Sequence, residues 1–486
     1  NTIPTREGRY LMGFSMGGYG ALRYALAYPD QFGGATLLSP FVQDGEPPIT
    51  SGAVERGSFG KPFSLERWSE LNYPNLITSY VNQEYQVPIY IFAGDDDWNH
   101  LSEKDDLPAD AWKYNMEVQA VKLYQALARR NIYDVSFEKW EPVPASPTEL
   151  RIENGGHSTS LWLKGFEEGL KYMFGREESE RYSPRYDEGR YVASEKGEVT
   201  VHHLTSQSLG EDLEYVVYLP HNYDPAVYRY PVLYLLHGSW GTNESWKKFW
   251  PILDTMIEEG TIEPVIAVAP VTGNSYWVDS EMFGNCETAV IKDLIPYIDE
   301  SYSTISSRDG RALIGFSMGG YGALRYGLVY PDLFSGAVLL SPAIQEGEAP
   351  VTSGAVERGS FGNPFDPAVW EEKNYVKALE GYSRQSHTVP MFIFTGDDDW
   401  NHLSEQEDLP ADAEKYNIEM QAVLLYQRLH RQNVFGEPYE KWEDVPSSPA
   451  ELRIVNGGHD SHVWSAGFEQ GIEYLFSNGL SKARIK

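Results

Sequence analysis

Short apolar runs alternate with amphipathic stretches through the second half of the chain. LEYVVYLP (213–220), YPVLYLLHG (230–238), PVIAVAP (264–270), ALIGFS (312–317), GAVLLSP (336–342) and VPMFIFTG (389–396) are apolar almost throughout and close on Gly, Pro or a polar residue, and the more mixed ELRIVNG (451–457) also reads as a strand. Runs of this continuity predict strands buried on both faces, as in a mostly parallel sheet. Between them, helical spacing predicts helices around 246–259 and over 287–301, 318–330, 411–432 and 464–476. Strand and helix alternate throughout, which predicts an α/β class with helices on both faces of the sheet.

The pattern is written twice. GFSMGGYGALRY stands at 13–24 and 315–326, TSGAVERGSFG at 50–60 and 352–362, GDDDWNHLSE at 94–103 and 396–405, and NGGH at 154–157 and 456–459, every pair 302 positions apart. A period this long is a whole domain, far beyond any solenoid unit. Asn1 aligns with Ser303, while the second copy begins near Arg190, so the first copy is short by the interval from 190 to 303, about 113 residues. The expected organisation is a truncated copy over 1–174, a polar linker over 175–189, a complete domain over 190–477 and a tail over 478–486. A chain that opens inside a domain reads as a fragment of a longer product, which leaves the compartment, secreted or cytoplasmic, and the oligomeric state open.

Composition narrows the classes. Hydrophobic residues make up 41% and aromatics 14%, enough for ordinary cores. No apolar run approaches the roughly 18 to 20 residues of a membrane span. A formal net charge of −32 argues against a basic footprint for nucleic acid or anionic membrane. The single Cys286 rules out an intrachain disulfide.

The chemistry centres on Ser317. Gly315 and Gly319 flank it where an apolar strand meets a helix, and such glycines permit a sharp turn that lifts the hydroxyl above the sheet edge. A serine hydroxyl attacks only when a base takes its proton, and a carboxylate must orient that base. In the α/β-hydrolase order the acid and then the histidine follow the serine, each after a later strand. Of the histidines that follow, His459 stands after ELRIVNG and two glycines, whereas His387 precedes a strand, His430 lies in a helix and His402 adjoins the acid candidates. His462 competes, but its first-copy counterpart is Ser160, while His157 matches His459. Asp397, Asp398 and Asp399 all end the strand VPMFIFTG, and one of them can reach the imidazole. A metal site built from this triplet and His402 is the competing reading. The triad needs neither metal nor cofactor, and none is expected. An oxyanion hole would draw one amide from Met318 and a second from Ser239, after the HG of 237–238. His237 itself reads as a structural loop residue.

LYLLHGSWGTNESW, GFSMGG, the GDDD strand end and NGGHDSHVW together resemble the esterase D family of α/β hydrolases, which includes the feruloyl and acetyl esterases of carbohydrate esterase family 1. The resemblance covers about 190–477 and all of the first copy. It implies an α/β sandwich with a minimal lid, and it implies Asp399 as the acid, three residues beyond Gly396. The interval of 60 residues from Asp399 to His459 is longer than the family's, which separates this chain from the substrate preference of any one member.

The expected activity is hydrolysis of a carboxylic ester through an acyl-enzyme, on a small-molecule or glycan ester, with carbohydrate-linked or aromatic acyl groups implied by the resemblance. Trp240 and Trp464, beside the oxyanion loop and His459, are candidate substrate contacts, and Trp370 and Tyr375 either line a pocket or pack a loop. Acyl transfer at the same site, or glycan binding without catalysis, are the alternatives. Ser15, Asp97 and His157 repeat the triad at identical spacing, yet the first copy has no counterpart of the HG loop, so it is expected to be inactive.

Overall fold

The computed structural model describes residues 3–48, 51–97, 115–131, 148–174, 197–350, 353–382, 385–399, 417–433 and 450–486. The linker proposed at 175–189 lies outside them, as does His402. The described residues form two compact units, the first comprising residues up to Phe174 with Leu452–Gly458, and the second the rest of the later copy, including His459–Lys486.

In the first unit, β1 (Tyr10–Phe14), β2 (Gly34–Leu38), β3 (Ile89–Gly94) and β4 (Thr148–Glu153) run side by side in that order, all parallel. Helices α1 (Met16–Ala27) and α2 (Met116–Asn131) lie in the β1–β2 and β3–β4 crossovers, and α3 (Thr159–Phe174) follows β4 and packs back on the sheet. β2 and β3 are buried along their whole length, as their unbroken apolar runs require, whereas β1 is half exposed. α3 lies so close to the sheet that a Cβ at Gly165 would stand 2.5 Å from Phe92, and one at Gly169 2.5 Å from Thr36.

The second unit repeats this arrangement and extends it. Its strands are β5 (Glu198–Thr205), β6 (Asp212–Leu219), β7 (Val232–Leu236), β8 (Ile266–Pro270), β9 (Arg311–Phe316), β10 (Gly336–Leu340) and β11 (Met391–Gly396). Their spatial order is β11-β10-β9-β7-β8-β6-β5. The five from β11 to β8 are parallel, and β6 and β5 add antiparallel partners at the end. The helices include α4 (Trp250–Glu258), α5 (Met318–Val329), α6 (Ile418–Asn433) and α7 (Ser461–Ser477). β12 (Ala450–Val455) leads into the His459 loop.

Side-chain alternation on β10 places helices on both faces of the sheet. Val338 and Leu340 meet the glycines of α7, at 2.5 Å and 2.7 Å from Cβ positions built at Gly471 and Gly467, while Ala337 faces Gly327 of α5. After β8 the chain returns to the far side of β7 to form β9, so its direction of progress across the sheet reverses between β7 and β9. Crevices at the C-terminal strand ends open at such a reversal. This is the α/β-hydrolase arrangement, present as one copy with the β5–β8 strands and one without them.

Two features depart from the sequence reading. Glu198–Thr205 is a strand that the apolar pattern did not mark, because its burial alternates between half-buried and exposed instead of running apolar. The helix expected over 287–301 is composite: Cys286–Thr288 leads into a π-helical stretch, Ala289–Leu294, before Ile295–Ser301 resumes α geometry. Pro296 has no N–H to close the usual bond to Lys292, and the wider turn lies immediately before it.

Candidate active site

Ser317 sits between β9 and α5 with φ 53° and ψ −121°, a conformation that strains any residue with a Cβ. The turn is held by the Ser317 N–H donating to the Leu340 carbonyl at 2.8 Å, and by the Ser317 carbonyl accepting from the amides of Gly320 and Ala343, each at 2.9 Å. The neighbouring glycines are sterically required. A Cβ at Gly315 would lie 2.0 Å from the Gly319 oxygen, and one at Gly319 would lie 1.8 Å from the Leu236 oxygen.

The three residues singled out in sequence come together. His459 Nε2 is 2.8 Å from Ser317 Oγ, and His459 Nδ1 is 2.7 Å from Asp399 Oδ1. Asp399 Oδ2 accepts from the Thr395 hydroxyl at 2.9 Å. All three are buried, Asp399 completely. With its carboxylate facing Nδ1, the ring presents Nε2 to the serine, the orientation proton abstraction needs. Asp397 and Asp398 are buried in the same turn. His387 is exposed and pairs with Asp332 at 2.6 Å, while the amide of His462 donates to Asp460 in the first turn of α7.

The loop after β7 lies against this group, since a Cβ at Gly238 would be 3.2 Å from that of Ser317. Among the described residues, the amides of Ser239 and Met318 have no intramolecular acceptor, as an oxyanion hole requires. His237 holds the loop from inside. Its Nε2 accepts from the Thr272 amide at 3.1 Å and its Nδ1 donates to the Gly238 carbonyl at 2.7 Å. Burial lowers its pKa to about 4, so the ring is neutral and serves the loop, not the proton transfer.

The candidate substrate contacts differ in character. Trp240 is 74% exposed, and its amide donates to Asn274 Oδ1 at 2.7 Å. Trp464 stacks on Phe316 at 4.6 Å and turns its edge to the His459 ring at 5.1 Å, so it supports the histidine whatever else it meets. Trp370 and Tyr375 are buried, Trp370 packing against Phe361, but they lie in the short helices Pro367–Lys373 and Tyr375–Tyr382, so they pack helix and not the expected loop. Sequence reasoning missed Arg358, which donates to Ser239 Oγ and lies with its guanidinium 5.5 Å from the Trp240 ring centroid. The only signal was its place in the repeated run TSGAVERGSFG.

In the first unit, Ser15 has the same dihedrals as Ser317, and His157 Nδ1 lies 2.7 Å from Asp97 Oδ1. The link from histidine to serine has no counterpart among the described residues at Ser15, and neither does the HG loop.

The Esterase family model matches residues 1–173 and 206–473. Esterase MT1326 of Mycobacterium tuberculosis is 37% identical over 126 residues, 25% of this chain and 27% of that protein. An endo-1,4-beta-xylanase/feruloyl esterase of Xylanibacter ruminicola is 36% identical over 156 residues, 28% of this chain and 20% of its own. The match thus spans about a quarter of the length of these relatives. Among solved structures, a ferulic acid esterase aligns at 26% identity over 58% of this chain and 97% of its own, with a TM-score of 0.44. An S-formylglutathione hydrolase from Agrobacterium tumefaciens aligns at 15% identity over 59% and 98%, with a TM-score of 0.42. With both copies matched over most of their length, the chain belongs to the Esterase family.

Proposed function

We propose that this chain hydrolyses carboxylic esters through an acyl-enzyme at Ser317, in a domain spanning residues 190–477. The observation that carries the reading is the hydrogen-bonded line from Ser317 Oγ through the His459 ring to Asp399. Ser317 Oγ attacks the carbonyl carbon as its proton passes to His459 Nε2. The developing oxyanion meets the amides of Ser239 and Met318, donors of a kind worth about 3 to 4 kcal/mol each. Collapse expels the alcohol, which takes the proton from His459. Water then attacks the acyl-enzyme by the same route, frees the acid and returns the proton to Ser317.

For the substrate we infer a carbohydrate-linked or aromatic acyl ester. The exposed Trp240 ring beside Ser239 supports it, as do the names of relatives: a xylanase/feruloyl esterase and an acetyl esterase from Caldicellulosiruptor saccharolyticus. The test is a panel of acetyl-sugar, feruloyl and formyl-thioester substrates assayed with the parent chain and with Ser317→Ala. Full activity in Ser317→Ala would refute the site, and a formyl-thioester preference over both acyl esters would refute the substrate class.

A further inference from the structure

The first unit carries a cavity of about 420 Å³ beside Ser15, lined among others by Tyr19, Gly20, Phe59 and Trp68. Their counterparts 302 positions later are Tyr321, Gly322, Phe361 and Trp370. In the second unit that space is filled from within. Tyr276 packs on Tyr321 at 5.5 Å and on Phe361 at 5.4 Å, and a Cβ at Gly322 would strike Trp277 at 2.5 Å, whereas one at Gly20 would meet nothing within 4 Å. The cavity stands where the second unit holds its Tyr276-Trp277 pair.

Four further features of the same face agree. Gly319 is pinned by the Leu236 backbone, while Gly17 faces open space. Met12, Phe14 and Met16 are 36%, 55% and 64% exposed, while Ile314, Phe316 and Met318 are buried, the first two on a strand paired with β7 and Phe316 against Gly238 and Trp246 of the loop after it. Arg325 pairs with buried Glu287 at 2.7 Å, whereas Arg23, on the cavity wall, has no carboxylate partner among the described residues. Arg358 donates to Ser239, and its counterpart Arg56 also lines the cavity. Aromatic shape, an apolar strand edge, a cation awaiting a carboxylate and a guanidinium awaiting a hydroxyl all correspond to groups on one segment, residues 190–302.

We propose that the β1 edge and the Ser15 cavity form a docking socket for a polypeptide segment of the make of residues 190–302. The segment enters with a strand parallel to β1, a Tyr-Trp pair in the cavity and a glutamate on Arg23. Seating it also brings an HG loop to Ser15, which completes a second site if the reading of Ser317 holds.

The experiment joins a duplicate of residues 190–302 ahead of residue 1 of the full chain and measures amide hydrogen exchange over residues 10–16. The socket predicts at least a 10-fold slowing there, reversed when the Tyr and Trp of the added segment that correspond to Tyr276 and Trp277 are replaced by Ala, and weakened by Arg23→Glu. It also predicts that a fluorophosphonate, losing fluoride to the attacking serine, labels Ser15 in the extended Ser317→Ala chain and not in the unextended one. Unchanged exchange in an extended chain whose parent Ser317 still labels would overturn the proposal. So would slow exchange at residues 10–16 in the unextended chain accompanied by a dimeric mass, because a second copy would then be the occupant. If Ser317 itself fails to label, the fault lies with the catalytic reading, and the exchange data still decide the socket.

Discussion

Glycines with identical sequence neighbours have different steric roles in the two copies. Gly319→Ala would drive a Cβ to 1.8 Å from the Leu236 oxygen, and backbone cannot yield that far without opening the sheet beside Ser317. Gly17→Ala meets nothing within 4 Å and lies in the first turn of a helix, where alanine is favoured by roughly 0.5 to 1 kcal/mol. Urea denaturation should show Gly319→Ala losing more than about 3 kcal/mol together with esterase activity, while Gly17→Ala is neutral or slightly stabilising. His237 supplies a second prediction at this scale. Burial holds its folded pKa near 4 against an ordinary 6.5, so between these values the unfolded chain binds a proton the folded one refuses. Stability fully present above pH 6.5 is therefore lost as pH falls towards 4, by about 3 kcal/mol. Urea midpoints followed by tryptophan fluorescence from pH 7 to 4.5 should fall less steeply in His237→Gln than in the parent.

Among the elements, loops set the geometry that strands only carry. Arg358 reaches from the segment after Gly354–Glu357 to the Ser239 hydroxyl, tying that segment to the loop after β7 from which the proposed oxyanion donor comes. Arg358→Ala should lower kcat roughly 10-fold with little change in KM, the mark of a displaced oxyanion donor, since losing such a donor outright costs about 100- to 1000-fold. An equal loss in KM would point to direct substrate contact instead. The expected strands at 213–220, 230–238, 264–270, 312–317, 336–342 and 389–396 overlie β6 to β11, because each is buried on both faces and its apolar run has no interruption. β5 escaped because a half-solvated edge strand mixes Glu198, Thr200 and His203 into its pattern. Ser317 and His459 were legible since each follows a strand with glycines beside it, a local signal. Which of three adjacent aspartates meets the ring had no such local signal, as that depends on how the turn after β11 folds, and only the family resemblance implied Asp399. Arg358 was invisible for a related reason: its partner lies 119 positions away, and no local rule links a guanidinium to a distant serine.

At the scale of the whole chain, the question is how many of its two serine turns react. Both turns have the same strained dihedrals and the same histidine-aspartate pair, so strain and base orientation alone predict two reactive serines. They are not sufficient. The tetrahedral intermediate also needs amides from both sides of the oxyanion, and loss of one such donor already costs about 100- to 1000-fold in rate. At Ser317 the loop after β7 can supply the second amide, whereas at Ser15 no described residue takes the place of Ser239. Ser15 also has no hydrogen bond to His157 among the described residues, while Ser317 is 2.8 Å from His459. Active-site titration with a p-nitrophenyl ester should therefore give a burst of one equivalent per chain. Ser317→Ala should abolish that burst and Ser15→Ala should leave it intact. A burst of two equivalents would mean that the first turn finds an oxyanion donor by another route, and that the half-domain before a serine turn is not what makes it react.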